Sequence, residues 1–360
     1  MQYPRLSPVL DEYLAMRGNR VSPTTARNEA FVLRRFVANI GDIQVRHLTP
    51  QHVERWFYGT NGVMATHKTR DGQTRTPVGP ATHNFYRTRL SEFFKYLAKR
   101  GLTRADLLQE VRPQRLDVKQ RLQPGREMLW AMLDNTSSPR DRAILATFMN
   151  TGLRASEVCD LRVGDVDFDS MSLHVRITKS RTEDDLPLTS DLAEELRRWL
   201  AIYRTDCIDF DRPIEVADNH FLFPARTGVR YRWRTTEDGG RVQYQAPSTW
   251  RPETRLQKVE RIVQAALRSV GLPTSHEGGH TLRRAVARIY FDDLNASGEW
   301  DSALRMTSAL LHHSNTSTTE RYLGLDKDRR ARDESLRGKS LLGPRTAPAS
   351  VTTIRRTTPN

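Results

Sequence analysis

The stretch TGLRASEVCDLRVGDVDF, Thr151–Phe168, decides the fold class because a helix, a turn, a second helix and a strand all meet in it. Thr151-Gly152 turns the chain after a helix expected over Arg140–Met149, and Arg154 stands at the start of a new one. Val166–Asp169 then begins a set of short strands that continues in Ser172–Thr178 and Asp185–Thr189, with turns at Asp169-Ser170 and around Thr182–Asp184. Upstream lies one more helix, Arg126–Leu133. Downstream, Asp191 with Glu194 reads as a capping box for a helix through Tyr203. Residues 229–245, RYRWRTTEDGGRVQYQ from Arg230, read as a hairpin turning at Asp238-Gly239-Gly240. Its alternation of Arg230, Arg232 and Arg234 with Tyr231 and Trp233 suits either a plain surface hairpin or a nucleic-acid contact. Helices resume over Glu253–Val270, Thr281–Leu294 and near Leu304. The whole is mainly α with a small antiparallel β-sheet.

The first third reads as helices only. Ser7-Pro8, Ser22-Pro23 and Thr49-Pro50 each set a capping hydroxyl before a proline suited to the first turn. Behind Ser22, Phe31, Leu33, Phe36, Val37 and Ile40 recur at roughly helical spacing, with Arg27, Arg34 and Arg35 off that stripe. A long helix is expected over Ala81–Lys99, with Phe85, Leu90, Phe93, Phe94 and Leu97 on its apolar side and Gly101 ending it. Gly59–Gly79 is a basic loop carrying Lys68, Arg70 and Arg75. The expected domains are therefore 1–112, helical; 113–124, a linker; and 125–338, ending in a charged helical tail from Leu325. Residues 339–360 are expected to lack fixed structure.

The chain has 360 residues, 37% hydrophobic and 28% charged, which fits a folded two-domain protein. Its net charge is +14, and the distribution is uneven. Residues 1–112 hold 18 Lys and Arg against 9 Asp and Glu, residues 323–360 hold 9 against 4, and the middle holds 30 of each. A basic helical module and a basic tail around a neutral centre point to double-stranded DNA as partner. An acidic membrane surface is the weaker alternative, since no basic amphipathic anchor stands out. No apolar run approaches the ~20 residues of a membrane span, and no signal-peptide layout opens the chain. The two cysteines, Cys159 and Cys207, have no metal-ligand spacing and suit a reducing cytosol.

If DNA is the substrate, metal-dependent cleavage needs convergent carboxylates, and the acids here are scattered or in exposed pairs such as Asp184-Asp185. Neither a phosphate-binding GxxxxGK[ST] loop nor an HExxH occurs, so no cofactor or metal is expected. Metal-free transesterification instead needs a nucleophile, cations for the phosphorane and a proton donor for the leaving oxygen. Arg154 can present its fork to two phosphate oxygens, with Glu157 one helical turn on. Lys179 follows the strand HVRIT at the lip of a turn. In GGHTLRR, His280 and Arg283 lie one turn apart. In LLHHSNTSTTERY, Leu310–Tyr322, a histidine precedes a tyrosine hydroxyl by nine residues. Each piece alone is commonplace; the specific feature is the ordered set.

That set resembles the tyrosine site-specific recombinases of the phage integrase family, through TGLRASEVCDLRVGDVDF, VRITKSRTEDDLPLT, HTLRRAVARIY and LLHHSNTSTTERY. The resemblance implies a helical SAM-like core-binding domain plus an α+β tyrosine recombinase catalytic domain, closing around the duplex. It implies Tyr322 as the nucleophile, making a 3′-phosphotyrosyl link, and Arg154 and Arg283 on the non-bridging oxygens. Lys179 would protonate the leaving 5′-hydroxyl, His280 would assist proton transfer, His313 would bond the phosphate, and Glu157 would support the cluster. It also implies a tetramer on paired sites, a Holliday junction, accessory DNA-bending or directionality proteins, and a cytoplasmic, nucleoid-associated setting. Three departures stand out. The family usually has Gly before the third catalytic histidine, where this chain has His312, which leaves His312 as a second candidate for the role of His313. The acidic TEDD after Lys179 is an unusual neighbour for a phosphate site, with Arg181 as the fallback. The segment 226–250 is longer than the family's usual loop. A type IB topoisomerase or telomere resolvase would share the chemistry; a DNA-binding protein without catalysis is the third reading.

Overall fold

A computed structural model describes residues 3–68, 74–103, 106–116, 121–177, 182–209, 212–228, 230–246, 249–325 and 335–337. The chain divides into two compact units, Met1–Lys119 and Gln120–Asn360.

The first unit is a set of helices, α1 (Leu6–Gly18), α2 (Pro23–Ile40), α3 (Pro50–Tyr58) and α4 (Pro80–Lys99), with two short paired strands, β1 (His67–Lys68) and β2 (Thr74–Arg75). Ser22 caps α2, its side chain accepting from Thr25 N–H. Ser7 does not cap α1. The helix starts at Leu6 behind Arg5, and Ser7 N–H donates instead to Asp42 Oδ1 at 2.8 Å, so a distant carboxylate supplies the cap. On α2 the inward stripe is Glu29, Val32, Leu33, Phe36 and Val37, while Phe31 faces out at 60% exposure. The stripe is rotated from the expected one because Glu29 is satisfied inside: it accepts from Tyr13 Oη (2.6 Å) and Arg17 Nε (3.1 Å). Aromatic rings fill the rest of this core, with Trp56 against Phe36, Phe57 and Tyr86.

The second unit contains α5 (Arg126–Asp134), α6 (Pro139–Thr151), α7 (Ala155–Asp160), α8 (Ser190–Asp206), α9 (Glu260–Ser269), α10 (Gly279–Leu294), α11 (Trp300–Leu310) and α12 (Thr316–Leu323). A three-stranded antiparallel sheet, β3 (Val166–Asp167), β4 (Ser172–Ile177) and β5 (Thr182–Pro187), follows α7. Thr182–Asp184, expected as a turn, are strand residues paired with Ile177, Arg176 and Val175. The buried alternation of Leu173, Val175 and Ile177 pulls their partners into register. Thr189, not Asp191, caps α8, accepting from Leu192 N–H at 3.3 Å. Further short strands are β6 (Ile208–Asp209) paired with β7 (Arg212–Pro213), and β8 (Pro224–Arg226) paired with β11 (Trp250–Arg255). Helix was expected from Glu253; Trp250 instead stacks edge-on against Trp199 and holds that segment extended until α9 begins at Glu260.

The hairpin of β9 (Arg230–Thr235) and β10 (Arg241–Ala246) turns through Gly239 at φ +82°. It leaves Tyr231 and Trp233 largely exposed. Of the supposed linker, Leu122 packs on the second unit's core and Gln123 Nε2 donates to Leu323 O at 3.1 Å, beside the end of α12. Most of the charged tail expected over 325–338 lies outside the described residues. Among them, no helix is long and apolar enough to cross a membrane.

Candidate active site

The site is built around the end of α6. Gly152, at φ +61°, closes that helix in the left-handed conformation, and its carbonyl accepts from Arg283 Nη1. Two residues on, Arg154 is the N-cap of α7. Its N–H donates to Glu157 Oε2 and its Nη1 to Glu157 Oε1, both at 2.8 Å. Glu157 is buried, so one carboxylate both caps the helix and aims the guanidinium. Below α7, Arg255 pairs with Asp160 and donates to Ser156 O, tying the helix to β11.

Helix α10 brings His280 and Arg283 to the same place. Gly279 makes the approach possible: a Cβ there would stand 3.1 Å from Phe148 Cε1 on α6. Arg283 is 1% exposed, and its second donor goes to Leu311 O at 2.5 Å. Its two carbonyl partners carry no charge, and among the described residues no carboxylate forms an ion pair with it. Burial and then the nearby Arg154 push Arg283 down to about 10, which leaves it cationic at neutral pH. Its neighbour Arg284, which the sequence reading passed over, is also buried and pairs with Glu277 at 3.0 Å.

Tyr322 arrives on α12 and donates its hydroxyl to His280 O at 3.1 Å. Burial raises the phenol's pKa; Arg283, Arg284 and Arg154 pull it back, but burial wins. The nucleophile candidate is thus neutral at rest. The His280 ring is lowered from its ordinary value, first by desolvation and then by Arg283, Arg284 and Arg154, so it is unprotonated at neutral pH. Its rim is nonetheless open to solvent, which leaves room for a ligand. His313 sets its ring edge-on to Tyr322, centroids 5.7 Å apart. Thr319 Oγ1 accepts from Ser308 Oγ at 2.8 Å and stands 3.0 Å from His313 Nδ1.

His312 answers differently. It is in the left-handed region at φ +48°, directly after α11, where glycine is the usual residue and an L side chain costs roughly 1–2 kcal/mol. Its ring points to the sheet, Nε2 donating to Asp184 Oδ2 at 2.9 Å. His312 therefore does not share the position of His313 against Tyr322. Lys179 and its fallback Arg181 lie outside the described residues. The site thus brings together Arg154, Glu157, His280, Arg283, His313 and Tyr322; Arg284 and Thr319 are additions that only the folded arrangement reveals. Among the described residues, no group of three or more His, Cys, Asp or Glu is placed to hold a metal ion.

Residues 125–329, more than half of the chain, match the phage integrase family, and the protein belongs to that family. It is 29% identical over 247 residues to the tyrosine recombinase XerC of Neisseria gonorrhoeae, covering 67% of each chain. Its fold is shared with a lambda integrase dimer bound to a COC′ core site, at TM-score 0.60 and 16% identity over 91% of this chain and 79% of that one. A lambda integrase tetramer bound to a Holliday junction gives 0.59 and 16% over 89% and 78%.

Proposed function

We propose that this chain is a site-specific DNA recombinase that cuts and rejoins strands through a 3′-phosphotyrosyl intermediate. The observation that carries the reading is the clustering of Arg154, His280, Arg283 and His313 around Tyr322, whose hydroxyl donates to His280 O, with Arg283 buried and in no ion pair among the described residues. A buried cation without a counter-ion is costly, and a phosphodiester supplies the missing charge.

In this mechanism Tyr322 Oη attacks phosphorus, the Oη–P bond forms and the P–O5′ bond breaks. The phenolic proton passes to His280, a neutral ring able to accept it, and Lys179 protonates the departing O5′. Arg154, braced by Glu157, and Arg283 bind the two non-bridging oxygens and stabilise the phosphorane. His313 donates to the phosphate, oriented by Thr319. Rejoining runs the same steps backward with a new 5′-hydroxyl, so the bond energy is stored in the protein link and neither ATP nor a metal step is required.

The helical residues 1–112 serve as the DNA clamp, joined by 113–124 to the catalytic residues 125–338. Their basic excess supports that role. The protein assembles as a tetramer on paired sites, resolves through a Holliday junction, acts in the cytoplasm at the nucleoid, and works with DNA-bending or directionality proteins. A nicked suicide substrate bearing the chain's own site tests the reading. The wild-type protein is expected to form a covalent protein–DNA adduct and Tyr322→Phe none; an adduct surviving that change overturns the nucleophile. Relaxation of any supercoiled plasmid without a site would favour a topoisomerase instead.

A further inference from the structure

We propose that His312 is a positioning residue: with Asp184 it latches the β4–β5 hairpin to the turn that arranges Arg283, His313 and Tyr322. The inference rests on the recombinase reading above, and it starts from a residue in the wrong conformation for its type. At φ +48° the backbone would accept glycine without strain. A histidine in its place needs a compensating contact, and the contact is the 2.9 Å bond from Nε2 to Asp184 Oδ2.

Strand alternation selects that carboxylate. Asp184 lies opposite Val175, whose side chain is buried, whereas Asp185 and Glu183 lie opposite His174 and Arg176. Asp185 Oδ1 meets His174 Nδ1 at 2.8 Å, and Glu183 approaches the same ring at 3.9 Å. Two acids of the TEDD run thus belong to His174, and the one between them turns to His312. The acidic run that looked out of place beside a phosphate site is partitioned between two histidines.

The other end of the latch is the turn itself. Leu311, before His312, lends its carbonyl to Arg283, and His313, after it, lays its ring against Tyr322. A shift of residue 312 therefore moves a phosphate-binding cation's acceptor on one side and the nucleophile's neighbour on the other. The latch thus ties the β4–β5 hairpin to the turn beside Arg283 and Tyr322. The imidazole is only 13% exposed, and its Nδ1 has no partner among the described residues, so Asp184 is the contact that orients the ring.

His312→Gly relieves the backbone and removes the latch; Asp184→Ala removes it from the other side. Each is expected to slow adduct formation at saturating DNA by about 5- to 10-fold, the loss of one orienting hydrogen bond, with DNA affinity and melting temperature little changed. The double variant is expected to be no slower than either single one. Amide exchange across residues 172–187 is expected to speed up in both variants. Wild-type cleavage by His312→Gly, or effects of the two changes that multiply, would overturn the positioning role. Unchanged exchange would overturn the latch. If the wild-type protein itself forms no adduct, the recombinase reading fails, and the exchange measurement still decides the latch.

Discussion

Glu29 in the helical unit and Arg283 in the other are both buried charges, and the two are treated differently. Glu29, in the helical unit, is fully buried and bonded on both oxygens, by Tyr13 Oη and Arg17 Nε. Burial first, and the bond to Glu29 second, push the Tyr13 hydroxyl far above its ordinary value, so it stays a donor to the carboxylate. Arg283, in the other unit, is as deeply buried but bonded to two neutral carbonyls and the Tyr322 hydroxyl, with the like charge on Arg154 pressing on it and Glu157 only partly offsetting that. The first charge is closed, its demand met within the fold. The second has no ion pair among the described residues, and on the proposed reading it is open to a ligand's anion. Complete internal pairing marks architecture; a buried cation left with dipoles marks an anion site.

Arg283→Met tests the open half and has the largest expected effect. Single-turnover cleavage should fall about 10³-fold, as when an aligned transition-state donor is removed. Stability should change by no more than about 1 kcal/mol, because losing the bonds to Gly152 and Leu311 is offset by relief of a poorly solvated charge. Denaturant unfolding checks the second half: a loss of several kcal/mol would make Arg283 a structural charge like Glu29.

Glu29→Ala tests the closed half. Removing one member of a buried pair strands the other, but Arg17 is a quarter exposed and recovers water, so the expected loss is about 2–3 kcal/mol. Circular dichroism of the melting transition reads it. An unchanged midpoint would show that the pair is not what holds α1 to α2.

Gly279→Ala is a smaller test of how the open charge is delivered. The added methyl meets Phe148 Cε1 at 3.1 Å and Cζ at 3.2 Å, and α10 must back away from α6. About 1–2 kcal/mol of stability should be lost to overpacking, together with a greater loss of cleavage than of DNA affinity.

The comparison also separates what was legible in the sequence from what was not. Arg154, Glu157, His280, Arg283, His313 and Tyr322 were named from the ordered set of motifs that resembles the family, since each piece alone is commonplace, and the fold brings these six residues together. Glu29 was not: an acid on an apolar stripe reads as surface, and its partners lie on another helix. Phe31 was misread for the same reason, since the stripe that includes Glu29 turns it outward. Thr182–Asp184 looked like a turn by composition, and cross-strand pairing with a buried β4 overrode that. The tie from His312 to Asp184 needed a contact between residues 128 apart in the chain.

The smallest expected effect concerns protons and sharpens the idea of an open site. His280 is lowered by desolvation and by three arginines, so in the unliganded protein its charged form appears only below the ordinary histidine value of about 6.5. Because the folded value lies below the unfolded one, the ring contributes nothing to stability changes above about pH 6.5. Stability is lost as pH falls from there through the folded value. If His280 accepts the phenolic proton, cleavage at subsaturating DNA should have its acid limb below pH 6.5. Bound DNA changes the balance, since a phosphodiester beside the ring favours the imidazolium. At saturating DNA the limb should therefore move to higher pH. Coincident limbs at both concentrations would mean that the phosphate does not sit beside His280. The arginines would then be matched to an anion elsewhere.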